Sequence, residues 1–139
     1  MSYLLDTDIL SNLLRRAPST TLVRRLASVD PDEQFTSSIT VGELVYGAHR
    51  VPDRRDLLLQ RIDEALGTDL PVLAFDDRAA RHYGRLRADL ERSGTPIGDA
   101  DLRIAAIAMT HELTVVTANM RHFVRVPGLT VENWLGEPA

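Results

Sequence analysis

Short apolar stretches alternate with longer segments of helical spacing along the whole chain, and few folds accept that order. Ser2–Leu5, Gln34–Ser37, Pro71–Phe75 and Leu113–Thr117 read as strands, with a last short one at Leu129–Val131. A short helix is expected over roughly Ile9–Arg15. Pro18 and Ser19 open a second, whose Leu22, Val23, Leu26 and Val29 recur at helical spacing until Pro31 breaks it. Thr40–Arg50 follows, with Val41, Leu44, Val45 and Ala48 on its inner side. After Pro52 a further helix runs over Leu57–Leu66. A long amphipathic helix starts at Asp76 or Asp77 and reaches Arg92, where Ser93-Gly94 ends it. Another runs from Gly98 to about Glu112, and Met120–Phe123 forms a helical turn. The pattern predicts an α/β fold: a three-layer α/β/α domain on a mainly parallel sheet of four to five short strands, with residues 1–139 as a single domain. Sheets of this kind bind ligands beyond the carboxyl ends of their strands.

Four polar stretches fall at those ends. They are Asp6-Thr7-Asp8, Thr40-Val41-Gly42-Glu43, Gly98-Asp99-Ala100-Asp101 and Thr117-Ala118-Asn119. Each residue has a local explanation. Asp6 suits a helix N-cap, and Asp8 a first helical turn, where the macrodipole favours an acid. Thr40 and Glu43 have capping-box spacing, in which Glu43 reaches back to the backbone of Thr40. Asp99 serves as a cap with Asp101 in the first turn behind it. Asn119, Thr7 and Thr117 are ordinary turn and strand-end residues. Taken together the local explanations predict no pattern, whereas carboxylates gathered at one point repel one another and call for a positive charge. A hard divalent cation takes oxygen ligands, so the set points to metal-assisted hydrolysis of a phosphodiester.

Composition constrains the partner. The chain has 139 residues, enough for one core, and no cysteine, which excludes disulfides and thiolate metal sites. The absence of cysteine fits a reducing cytoplasm. No apolar stretch is long enough to span a membrane, and no basic-then-apolar leader opens the chain. The net charge of −4 argues against a polyanionic partner until its distribution is considered. With Asp6, Asp8, Glu43, Asp99 and Asp101 set aside, the acids no longer outnumber the 16 basic residues. All 16 are arginine, a side chain that grips phosphate through two parallel hydrogen bonds. Arg78, Arg81 and Arg85 recur at near-helical spacing and are candidates to line an RNA path, although a solvated helix face explains them better.

The four stretches, with their neighbours, resemble the PIN-domain ribonucleases, in particular the VapC-type toxins of bacterial toxin–antitoxin pairs. Tyr3-Leu4-Leu5-Asp6-Thr7-Asp8-Ile9-Leu10 is similar to the family's opening strand and first acid. The second block is Ser38-Ile39-Thr40-Val41-Gly42-Glu43-Leu44-Val45-Tyr46-Gly47, and the third runs from Pro96 to Ala106 through Asp99 and Asp101. Val116-Thr117-Ala118-Asn119-Met120-Arg121-His122-Phe123 is similar to the fourth, and Val126-Pro127-Gly128-Leu129 to its usual sequel. The resemblance implies a PIN-like fold and Mg²⁺-dependent cleavage of RNA, with Mn²⁺ as a substitute. It implies that Asp6, Glu43 and Asp101 form the acidic core, with Asp99 as a further metal ligand and Asn119, Thr7 and Thr117 as supporting residues. Arg121 joins the candidate RNA contacts. His122 stands where relatives commonly carry an acid. The resemblance further implies a cognate antitoxin covering the cleft, and homodimerisation.

Two other readings remain. Asp6-Thr7-Asp8 is similar to the opening of Asp-nucleophile phosphatases, but Leu10 stands where those want a hydroxyl, and the chain has no lysine to hold a phosphoryl group. A PIN-like module that binds RNA or protein without cutting is the second, and Asn119 and His122 favour it.

Overall fold

The computed structural model describes residues 1–67 and 69–136. Its strands are β1 (Tyr3–Leu5), β2 (Gln34–Ser37), β3 (Val72–Leu73), β4 (Thr114–Val116) and β5 (Val131–Glu132). The helices are α1 (Thr7–Leu13), α2 (Thr20–Ser28), α3 (Ser38–His49), α4 (Arg55–Leu66), α5 (Asp77–Arg92), α6 (Asp99–Thr110) and α7 (Met120–Phe123). Five strands form one sheet in the order β3-β2-β1-β4-β5, and every pairing is parallel. The chain winds outward from β1 to β2 and β3, then crosses to the other side of β1 for β4 and β5. The order therefore reverses around β1, which leaves a crevice beyond the carboxyl ends of β1, β2 and β4.

Strand alternation divides the core in two. Leu4 and Val115 point to one face, where they pack with Leu86 and Leu90 of α5, most of α6, and Phe123. Leu5 and Val116 point to the other, among Ile9, Leu10, Leu22, Leu44, Ile62 and Trp134. A sheet covered on both faces needs apolar side chains at every position, which is why these strands read as continuous apolar runs. Ala105, Ala106 and Ala108 of α6 are wholly buried, and their small size lets the helix lie close to the sheet.

Local chemistry sets the boundaries. Asp6, Ser19, Ser37 and Asp76 cap α1, α2, α3 and α5, each accepting a backbone N–H with its side chain. After α5, Gly94 takes the left-handed conformation at φ 70°, and Thr95 N donates to Leu90 O at 2.9 Å. Several expectations change. α3 begins at Ser38, two residues before the expected start, because Ser37 Oγ accepts from Thr40 N at 3.1 Å. Thr40 is thus inside the first turn and fully buried, and the Thr40–Glu43 capping box does not form. The residue ahead of α6 is Gly98, so Asp99 is helical and not its cap. The expected strand Pro71–Phe75 shortens to Val72–Leu73 at the sheet edge, and the last strand lies at Val131–Glu132 instead of Leu129–Val131. Among the described residues no helix is long and apolar enough to cross a membrane.

Candidate active site

Asp6 is the first residue beyond β1. Its N–H continues the ladder to Val116 O at 3.0 Å, so the sheet itself fixes its backbone. Asp6 Oδ1 accepts from Thr7 N at 2.8 Å, and Oδ2 accepts from Thr117 Oγ1 at 2.7 Å. Only 4% of the residue is exposed. Burial is the main force raising its carboxyl, the charge of Asp8 is next, and Asp101 adds to it. The hydrogen bonds from Thr117 and Thr7 oppose the rise, and the result is a pKa of about 7.

Thr117, the residue after β4, joins three groups. Its hydroxyl accepts from Asn119 N at 2.9 Å and donates its single proton to Asp6. Its contacts of 3.3 and 3.4 Å with the Asp8 carboxylate are therefore close approaches without a proton of their own. Asp8 Oδ2 accepts instead from Ala118 N at 2.9 Å. Burial raises the Asp8 carboxyl above its ordinary value, and Asp101 pushes the same way. Asp8, which the sequence assigns to a helix dipole, thus faces the cleft. Its position in the first turn of a helix capped at a strand end is the signal that marks it.

Glu43 comes from α3. Freed from the capping box, Glu43 Oε1 accepts from Thr7 Oγ1 at 2.6 Å, and Thr40 Oγ1 lies 3.2 Å from the same hydroxyl. Thr7 thereby connects the end of β1 to α3. Asp101 projects from the first turn of α6, where Oδ2 lies 3.1 Å from Asn119 Nδ2 and 2.9 Å from His122 Nδ1.

Asp99 goes elsewhere. Its carboxylate accepts from Tyr83 Oη and forms an ion pair with Arg103 Nε at 2.9 Å, facing α5. The alignment with Arg103 is poor enough that this Nε makes no hydrogen bond. Two residues apart on a helix, Asp99 and Asp101 project in very different directions. Arg78, Arg81 and Arg85 are exposed on α5 and, with His82, line a shallow hollow of about 220 Å³. Arg81 pairs with Asp77. Arg121 is exposed on α7.

Spacing in the sequence does not reveal a larger groove of about 840 Å³ between α1, α3 and α4. Leu14, Leu44, Ala48, Leu58 and Ile62 line it with apolar atoms, and Arg15, Arg16, Arg54 and Arg61 also face it. Glu43 belongs to the groove and to the cleft alike. Arg15 and Arg16 follow α1 whereas Arg54 and Arg61 belong to α4 and its N-cap, so only folding brings the two pairs together.

The donor set fits a hard divalent cation. Asp6, Asp8, Glu43 and Asp101 offer oxygen alone, and among the described residues no arginine pairs with any of them. A raised carboxyl beside two others is the electrostatic state of a site short of positive charge. Among the described residues no three of His, Asp and Glu converge closely enough to enclose an ion unaided. Mg²⁺ suits such a site because it keeps several of its waters and needs few protein ligands.

The family profile described as the PIN domain matches residues 3–129. A curated relative, the tRNA(fMet)-specific endonuclease VapC of Salmonella typhimurium, is 36% identical over 136 residues, covering 96% of this chain and 98% of the relative. Ribonuclease VapC2 of Haemophilus influenzae (strain Rd) is 35% identical over 137 residues, covering 97% and 99%. The crystal structure of VapBC2 from Rickettsia felis, bound to a DNA fragment from their promoter, superposes with a TM-score of 0.87 at 32% identity, covering 96% of this chain and 99% of that one. With the parallel sheet and the carboxylates at its carboxyl edge, this likeness over nearly the full length places the chain in the PIN-domain family.

Proposed function

We propose that the chain is a divalent-metal-dependent endoribonuclease, the toxin of a toxin–antitoxin pair. The observation that carries the reading is Asp6, a carboxylate fixed by the sheet, almost fully buried, and driven up to about 7 by its own burial and by Asp8. A buried acid in that state is met by a proton or by a positive ion, and the further acids around it suit an ion. The names of the relatives, a tRNA(fMet)-specific endonuclease and a ribonuclease, support RNA as the substrate class. The Rickettsia complex supports a cognate antitoxin as partner.

Asp6 and Asp101 would hold Mg²⁺ or Mn²⁺, with Glu43 binding directly or through water and Asp8 supplying further negative charge. An ion held there would supply a more nucleophilic water near neutral pH and would offset charge developing on the scissile phosphate. The protein's own part is orientation. Thr117 and the Thr7 amide fix both oxygens of Asp6, Thr7 Oγ1 holds Glu43, and Asn119 and His122 hold Asp101. An Asp-nucleophile phosphatase is a poor fit, because the chain has no lysine to hold a phosphoryl group and Leu10 stands where such enzymes want a hydroxyl.

The test is cleavage of total cellular RNA with Mg²⁺ and with chelator, with the cut sites mapped. Asp6→Asn and Asp101→Asn are expected to abolish cleavage while the far-UV circular dichroism stays native. Folded variants that cut at the wild-type rate sink the assignment.

A further inference from the structure

His122 stands where the family resemblance leads one to expect an acid, and it touches Asp101 directly. α7 is a single turn, but it is firmly seated: Phe123, the next residue, is wholly buried in the core, and Val126 is 2% exposed. The ring is therefore delivered to Asp101 by a fixed backbone. His122 Nδ1 lies 2.9 Å from Asp101 Oδ2, Asn119 Nδ2 lies 3.1 Å from the same oxygen, and the two nitrogens are 2.9 Å apart. A ring nitrogen that close to an anionic oxygen must carry the hydrogen, since a lone pair there would face the carboxylate's negative charge. The same argument turns the NH₂ of Asn119 toward Asp101, because the flipped amide would set oxygen against oxygen. Two N–H groups thus converge on Oδ2. Among the described residues Oδ1 of Asp101 has no partner, nor does Nε2 of His122.

We infer that His122 is a positioning residue for Asp101. Its Nδ1–H, with the amide of Asn119, engages Oδ2 and so turns Oδ1 toward the cleft as the ligand oxygen. The need for a tether follows from the surroundings. Asp101 interacts electrostatically with Asp6 and Asp8, both of like charge. The terminal torsion of an Asp side chain is soft, so repulsion alone would swing the carboxylate away. An N–H donor at position 122 holds it in place, where an acid would add to the repulsion. The inference rests on the metal-dependent nuclease reading.

The test uses three variants of the full chain and two readouts: Mn²⁺ affinity by titration calorimetry, and kcat and KM for RNA cleavage. His122→Ala removes the donor. In His122→Asn the amide nitrogen overlays ring Nδ1, and in His122→Gln it overlays ring Nε2. Loss of an outer partner of a metal ligand weakens binding by about 10–100-fold, and that loss is expected for Ala and Gln. Asn is expected to bind Mn²⁺ close to wild type, with kcat recovering alongside. Asn and Gln are near in size and polarity, so their contrast stands even if the Ala variant folds poorly. Mn²⁺ affinity unchanged in Gln, or rescue by Gln and not by Asn, overturns the inference. Wild-type protein that fails to bind Mn²⁺ at all overturns the metal-dependent reading beneath it.

Discussion

A single carboxylate shows how the fold stores the tension that a ligand would relieve. Asp6 is raised from 3.8 to about 7, and the first cause is its removal from water. Between those two values the metal-free folded chain binds more protons than the unfolded chain, so stability must fall as pH rises through that window. Asp8 shifts in the same direction and adds to the slope. A shift of this size corresponds to at most about 4 kcal/mol, an upper bound given the coupling among the acids. Asp6→Asn removes the charge and leaves an amide that can still meet Thr7 N and Thr117 Oγ1. In chelator at pH 7 the variant is therefore expected to unfold at higher urea concentration than wild type, and the gap should close toward pH 4. Saturating Mg²⁺ should flatten the wild-type pH dependence as well. Equal urea midpoints for the two proteins at pH 7 would mean that Asp6 is not under the electrostatic load described.

The first turn of α6 sends two acids to two tasks, and the helix geometry requires that they separate. Asp101 meets α7, while Asp99 ties α6 to α5 through Tyr83 and pairs with Arg103 on its own helix. Arg103 also lies over the rings of Phe75 and Tyr83, at 5.5 and 5.6 Å from their centroids. Asp99→Asn is accordingly expected to lower stability by about 1 kcal/mol or less, as solvent-exposed pairs do, and to leave Mn²⁺ affinity unchanged. Lost Mn²⁺ binding in calorimetry would restore Asp99 to the ligand set. Farther along the helix, Ala106→Leu would force a larger side chain into a wholly buried position. A cost of about 1–3 kcal/mol in urea unfolding is expected. The contrast within this helix also marks how far sequence reading carried. Alternation, Pro and Gly punctuation and apolar spacing gave every strand and helix an approximate place, and β2 and the end of α5 fall where expected. The acids at the strand ends were legible too. Their partners were not, because those bonds cross between elements: Thr117 to Asp6, Thr7 to Glu43, His122 to Asp101. Local rules also chose the wrong cap where a neighbour competed for it, as with the capping box that Ser37 displaced and the cap that Gly98 took from Asp99.

Over the whole molecule, a net charge of −4 coexists with two concentrations of arginine, and their positions suit them differently to RNA. The hollow on α5 is small, and one of its arginines is already paired with Asp77. The groove between α1, α3 and α4 is larger, and Glu43 joins it to the acidic cleft. Its four arginines make no ion pair among the described residues, so no carboxylate competes with a partner for them. A strand whose scissile phosphate lies among Asp6, Glu43 and Asp101 has its flanking phosphates within a few nucleotides of the cleft. Phosphate contacts release counterions, so each one contributes about 0.7 to the slope of log affinity against log salt for single-stranded nucleic acid. With a cleavage-dead Asp101→Asn background, Arg15→Ala combined with Arg16→Ala should therefore reduce that slope by about 1.4, and Arg78→Ala combined with Arg85→Ala should leave it as it was. A slope that responds to the α5 pair and ignores the groove pair would move the RNA path to the α5 face, and Arg78, Arg81 and Arg85 would then be its contacts.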